Sequence, residues 1–188
     1  MPEDCKTILT ITAHSTPDNS DPPDAHKFYE ALGMLSVAWG RLEGHAVGNV
    51  LTLLNVLGRG CEKFALFPWD ELLKLWNEGF SSVPLLKVHE TRATAFIQSV
   101  KDVATDRNFA AHAIWEEFDP HAPELTMTAR WIKKKRGISG MIEIDDRRIT
   151  LSMVTSALAE SNRLNLEMAE YSQLISRLIT PPNGARRL

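Results

Sequence analysis

The sequence predicts an all-α fold, an up-and-down helical bundle of four to five helices with a small β-hairpin before the last helix. Three observations predict it. Long segments repeat apolar residues every three or four positions, the period of a helix with one buried stripe. Only one region, around residues 124–146, alternates apolar and polar residues as strands do. The periodic segments then read, in order, as helix, helix, helix, hairpin, helix.

Residues 1–24 form an irregular N-terminal segment: a short strand candidate, KTILTIT, followed by HSTPDNSDPPD, rich in residues that favour turns. From Ala25 a long helix follows, with Asp24 suited to cap it and Gly58 to stop it. Its apolar positions Phe28, Leu32, Leu35, Trp39, Leu42, Ala46, Val50, Leu53 and Leu57 advance by alternating threes and fours. A short helix is expected at about Pro68–Asn77, edged by Gly79, and a second long one at about Pro84–Thr105, with Pro84 suited to a first helical turn. After Trp115 the Pro and Asp residues of EEFDPHAPE break the pattern. ELTMTARWIKKK and GMIEID then read as two strands joined through RGISG, and a last helix as about Leu151–Leu178, capped by Thr150. Residues 25–179 thus form one helical domain, and 180–188 a flexible tail.

The chain has 188 residues, 44% hydrophobic and 24% charged, the balance of a globular domain with a sizeable core. The formal net charge of −3 gives no blanket reason to bind nucleic acid and leaves room for a local basic patch. The start, MPEDCK, is acidic and does not read as a signal peptide, and no run approaches the ~20 apolar residues that span a bilayer, so no membrane association is expected and the protein reads as cytoplasmic. Cys5 and Cys61 are too few for a disulfide framework and lack metal-ligand spacing. Cys61, between Arg59 and Lys63, reads as a small buried or loop residue. No metal site and no cofactor are expected.

The stretch DRNFAAHAIW, residues 106–115, carries the chemistry. Arg107 falls two turns past Val100, on the stripe of Ala93, Phe96, Val100 and Val103–Ala104, so its charge is aimed inward and must be paired or used. No P-loop, strand-bound G-x-G-x-x-G, H-E-x-x-H or G-x-S-x-G motif is present. What remains is Arg107-Asn108 followed by His112. Histidine can act as general acid or base near neutrality. Arginine presents a permanently charged fork matched to phosphate oxygens, and asparagine can orient either group without titrating.

Arg107, Asn108 and His112 at the end of a bundle helix resemble the R-x4-6-H motif of the HEPN superfamily. Its members are small α-helical domains, many of them metal-independent ribonucleases, including toxins and CRISPR-associated effectors. VAWGRLEGHAVGNVL resembles the first HEPN helix of many bacterial members, with a tryptophan and a glutamate close together, here Trp39 and Glu43. RNFAAHAIW resembles their arginine, asparagine, histidine and nearby aromatic, here Trp115, with Ala113 where such relatives often have glycine. The resemblance covers residues 28–178 in layout; its specific part is the six-residue motif with Trp39 and Glu43. It implies Arg107, Asn108 and His112 as catalytic residues, supported by Glu43, Trp39, Asp106 and Trp115. It also implies a homodimer in which two motifs line one cleft, with a role in stress response or phage defence.

Geometry bears on that implication. Five residues of α-helix turn a side chain by about 500°, leaving Arg107 and His112 about 140° apart. Either the helix breaks between them or two copies assemble the site. Glu43, at the edge of the first helix's buried face, can pair with Arg107, or with His45 at the solvent boundary. The alternative for the motif is a satisfied core histidine and a hydrogen-bond network that closes the bundle. Residues 129–148 hold seven Lys or Arg against three acids, net +4, so the rest of the chain carries −7. Lys133, Lys134, Lys135 and Arg136 crowd the expected hairpin tip beside Trp131, a landing site for an RNA backbone with a ring to stack on a base, or else a solvated turn. Two functions follow: an endoribonuclease, or a non-catalytic HEPN-like dimerisation or interaction module.

Overall fold

The computed structural model describes residues 21–59, 68–134 and 142–179; at 133, 134 and 142 only the backbone is described. The KTILTIT strand candidate, Cys5, Cys61, Lys135, Arg136, the RGISG turn and the 180–188 tail lie outside the described residues. Four helices and one sheet follow in order: α1 (Ala25–Val56), α2 (Trp69–Ser82), α3 (Glu90–His112), β1 (Ile114–Phe118), β2 (Thr126–Lys134), β3 (Ile142–Thr150) and α4 (Leu151–Ile179). A 3-10 turn, Lys87–His89, precedes α3. Among the described residues no helix is long and apolar enough to cross a membrane.

The helix ends show how local sequence sets length. Gly58 takes φ 69°, and the Gly58 and Arg59 amides donate to the Asn55 and Leu54 carbonyls, the left-handed closure that satisfies the last carbonyls of α1. At its start Asp24 makes no side-chain cap; its carboxylate pairs with Lys27 at 2.9 Å instead. Thr150 does cap α4, its hydroxyl accepting from the Met153 amide at 3.2 Å. The second long helix starts at Glu90 rather than at Pro84 and continues past Thr105 to His112, because the segment up to Ala113 contains no Gly or Pro.

Directions differ from an up-and-down order. Trp69 at the start of α2 lies 5.5 Å from Trp39, while Gly79 near its end meets Leu53 and Glu78 pairs with Arg59. So α2 runs in the same direction as α1, beginning at the level of Trp39 rather than at the end of α1. In α4, Asn165 donates to the Ala38 carbonyl and Met168 accepts from Asn49, so α4 is also parallel to α1. Only α3 runs the other way. Short connections predict antiparallel neighbours, and the link between α1 and α2 is too long to impose one.

The hairpin is a three-stranded antiparallel sheet in the order β1-β2-β3. Residues 114–118, at the place where the pattern seemed to break, pair with β2, with Trp115 opposite Ala129 and Ala129 opposite Arg147. Its inner face closes the end of the helices over Phe28, Leu35, Phe109 and Val154. The larger core lies among the helices. There Trp76, Phe80, Phe96 and Tyr171 bring α2, α3 and α4 together, with Trp76 and Tyr171 edge to face at 5.0 Å. Burial pushes the Tyr171 hydroxyl up to about 12.

Two glycines should respond in opposite ways to alanine. A Cβ at Gly79 would meet the Leu53 Cδ1 atom at 2.5 Å, and Leu53 is itself 1% exposed, so Gly79→Ala should destabilise by about 1–3 kcal/mol. Gly40 is exposed on α1 with open space around it, so Gly40→Ala should stabilise by up to ~1 kcal/mol through helix propensity. Urea unfolding of both variants checks the pair; equal effects would mean that Gly79 is not a contact point between α1 and α2.

Candidate functional site

The inner stripe of α3 carries Ala93, Phe96, Val100 and Val103–Ala104 into the core and delivers Arg107 to α1. The Arg107 guanidinium lies over the Trp39 ring, 5.4 Å from its centroid, and its Nη2 stands 3.7 Å from Glu43 Oε1. Nη1 donates to Asn108 Oδ1 at 2.9 Å. The same Glu43 oxygen accepts from the indole N–H of Trp39 at 2.7 Å. Trp39 is buried, so it fixes Glu43, and Glu43 and the indole face fix Arg107. The ion pair is not enclosed: the Arg107 and Glu43 side chains keep 25% and 38% exposure. An arginine so placed is oriented yet still reachable by an anion.

His112 ends α3 and is exposed, its ring stacked on Trp131 at 6.1 Å and 30°. Trp131 is half-buried on the inner face of β2, also touching Phe109 edge-on at 6.0 Å. The ring is therefore tied to the motif. Because α3 stays regular through His112, Arg107 points to α1 and His112 to the sheet, and they share no direct contact. Asn108 belongs with Arg107. Trp115 donates its indole N–H to the Ala110 carbonyl at 3.2 Å, one of the acceptors left open at the end of α3, and packs edge-on against Phe28 at 5.5 Å. Asp106 faces a different place, an open cavity of about 630 Å³ between α3, the sheet and the start of α4 that Trp115 also lines.

The structure adds Arg147. Its guanidinium covers Phe109 at 4.5 Å and makes two hydrogen bonds to Asp145, at 3.1 and 2.9 Å. The Asp145 carboxylate holds the Arg147 pKa above its ordinary value, with a further contribution from the charge of Asp106. The period-2 alternation of β3, with Ile149 inward, was the available signal for its side. It also changes the reading of the basic segment. Arg130 pairs with Asp146 at 2.7 Å and Glu116 at 3.1 Å, Arg148 with Asp119, and Arg147 with Asp145. The count of +4 thus overstates the field from the sheet, because its arginines are compensated locally. Among the described residues no group of three or more His, Cys, Asp or Glu could hold a metal ion.

Comparison of the chain with protein-family models, with curated proteins and with solved structures finds no match.

Partly exposed pairs contribute little to stability. A double-mutant cycle of Glu43→Ala and Arg107→Ala, read by urea unfolding, should give a coupling below about 1 kcal/mol. A coupling of about 3 kcal/mol or more would mark a buried structural pair rather than a poised cation.

Proposed function

We propose that the chain is a cytoplasmic, metal-independent RNA endonuclease of HEPN type that works as a homodimer. One observation carries the reading: Arg107 is held by Trp39, Glu43 and Asn108 while remaining partly exposed, on a helix that ends in the exposed His112. In the reaction a histidine takes the proton of the 2′-hydroxyl as its oxygen attacks the phosphorus. The P–O5′ bond breaks, and the 5′-oxygen leaves with a proton from an acid. Arg107 neutralises the charge that grows on the phosphate oxygens, and Asn108 keeps its fork in register. On this reading the two roles come from different copies, each cleft taking an arginine from one and a histidine from the other, which fits the divergence of Arg107 and His112 along one helix.

The same divergence favours a second reading, a non-catalytic HEPN-like dimerisation or interaction module in which Arg107 braces α3 against α1. Total RNA incubated with the purified protein in EDTA separates them. Cleavage should persist without metal and disappear in Arg107→Ala and in His112→Ala, with circular dichroism unchanged. Mixing the two inactive variants should restore part of the activity, since a mixed dimer contains one intact cleft. No cleavage by the wild-type chain, or a monomer at micromolar concentration, would leave the interaction module as the function.

The lysine tip is tested by salt. Replacing Lys133, Lys134 and Lys135 by glutamate should weaken RNA binding and flatten the dependence of log K on log salt. An unchanged slope would make the tip a solvated turn.

A further inference from the structure

The cavity lined by Asp106 and Trp115 lies between α3, the sheet and the start of α4, on a face of α3 next to the one that carries Arg107. Its walls are mostly apolar, with Val103 and Ala110 from α3 and Ala157 from α4 among them. Three charged side chains line it, and two are occupied. Glu160 accepts two hydrogen bonds from Arg163, at 2.9 and 2.7 Å. Arg147 commits Nε and Nη2 to Asp145 and stacks on Phe109, which holds its guanidinium in place. Asp106 accepts no hydrogen bond among the described residues, although its charge acts on Arg147, and Nη1 of Arg147 has no hydrogen-bond partner among them. The cavity is therefore lined by a carboxylate without a hydrogen-bond partner, a guanidinium with one uncommitted nitrogen and an apolar surface.

A ligand that matches is flat and apolar on its faces, with two adjacent donors for the carboxylate and an acceptor beside them for the guanidinium. Among the bases of RNA only guanine has that edge: N1–H and the 2-amino group side by side, with O6 next to them. Adenine and cytosine set one amino donor beside a ring nitrogen that repels a carboxylate, and uracil sets one N–H between two carbonyls. Reading an unstacked base by its Watson–Crick edge inside an apolar slot is the usual mode for single-stranded RNA. We propose that this cavity takes a guanine base of the RNA substrate, with Asp106 accepting from N1–H and the 2-amino group and Arg147 donating to O6. The inference rests on the ribonuclease reading for its substrate; the binding chemistry stands on the cavity alone.

Guanosine, inosine, adenosine and cytidine titrated into the full chain, followed by tryptophan fluorescence and by calorimetry, test it. Guanosine should bind, and inosine, which lacks the 2-amino donor, should bind about tenfold more weakly, the loss of one hydrogen bond to a charged group. Adenosine and cytidine should bind more weakly still. Asp106→Asn should abolish the preference for guanosine over inosine. Ala157→Trp, which fills the slot, should abolish nucleoside binding while near-ultraviolet circular dichroism confirms the fold. Guanosine binding no tighter than adenosine, no binding at millimolar nucleoside, or a preference that survives Asp106→Asn would each overturn the assignment. Cleavage of total RNA is scored in parallel. Metal-free cleavage without guanosine binding overturns the pocket and leaves the nuclease; guanosine selectivity without cleavage leaves the pocket and overturns the nuclease.

Discussion

One unbroken helix decides what this molecule can do with its polar residues. Because α3 keeps its register from Glu90 to His112, Asp106, Arg107 and His112 leave it in three directions: toward the cavity, toward α1 and toward the sheet. A break between Arg107 and His112 would have let them converge within one chain. The regular helix forbids that and makes Arg107 part of an α1–α3 contact, with His112 part of an α3–sheet contact.

What holds α3 in that register is the aromatic core. Phe96 meets Trp76 at 5.6 Å and Tyr171 at 5.2 Å, and at the other end Phe109 sits between Trp131 and the Arg147 guanidinium. The buried apolar side chains, aromatic and aliphatic together, contribute stability at roughly 25 cal/mol per Å² of apolar surface removed from water. Arg107 and Glu43, still partly wet, add little to it. The polar constellation is therefore positioned by the core and does not in turn hold the core together.

Much of this was legible in the sequence, and the limits have physical causes. Of the predicted stripe, Phe28, Leu35, Trp39, Leu42, Ala46, Val50 and Leu53 are buried and Leu32 and Leu57 half-buried, as a 3.6-residue period predicts. The inward aim of Arg107 could be read from helical faces, whereas the choice between Arg107 and His45 as the partner of Glu43 needed the structure. The direction of α2 could not, since it depends on where the ring of Trp69 finds a partner rather than on any local preference. β1 was obscured because IWEEF is short and runs directly into prolines; its strand character comes from pairing with β2, a non-local interaction. Arg147 was hidden inside a charge count, which records how many cations a segment has and not which carboxylates face them.

The parallel packing of α1 and α4 has a consequence for biosynthesis. Among the described residues the most extensive helix contact joins segments far apart in the chain: Asn49 and Met168, in direct contact, are separated by 119 residues. At roughly 5–20 residues per second, α1 leaves the ribosome on the order of 6–24 s before the segment of α4 that covers it. Through that interval the part of the α1 stripe that α4 covers stays open to solvent or to other chains. The α1–α4 packing is therefore completed only near the end of synthesis, when the C-terminal half of α4 has emerged.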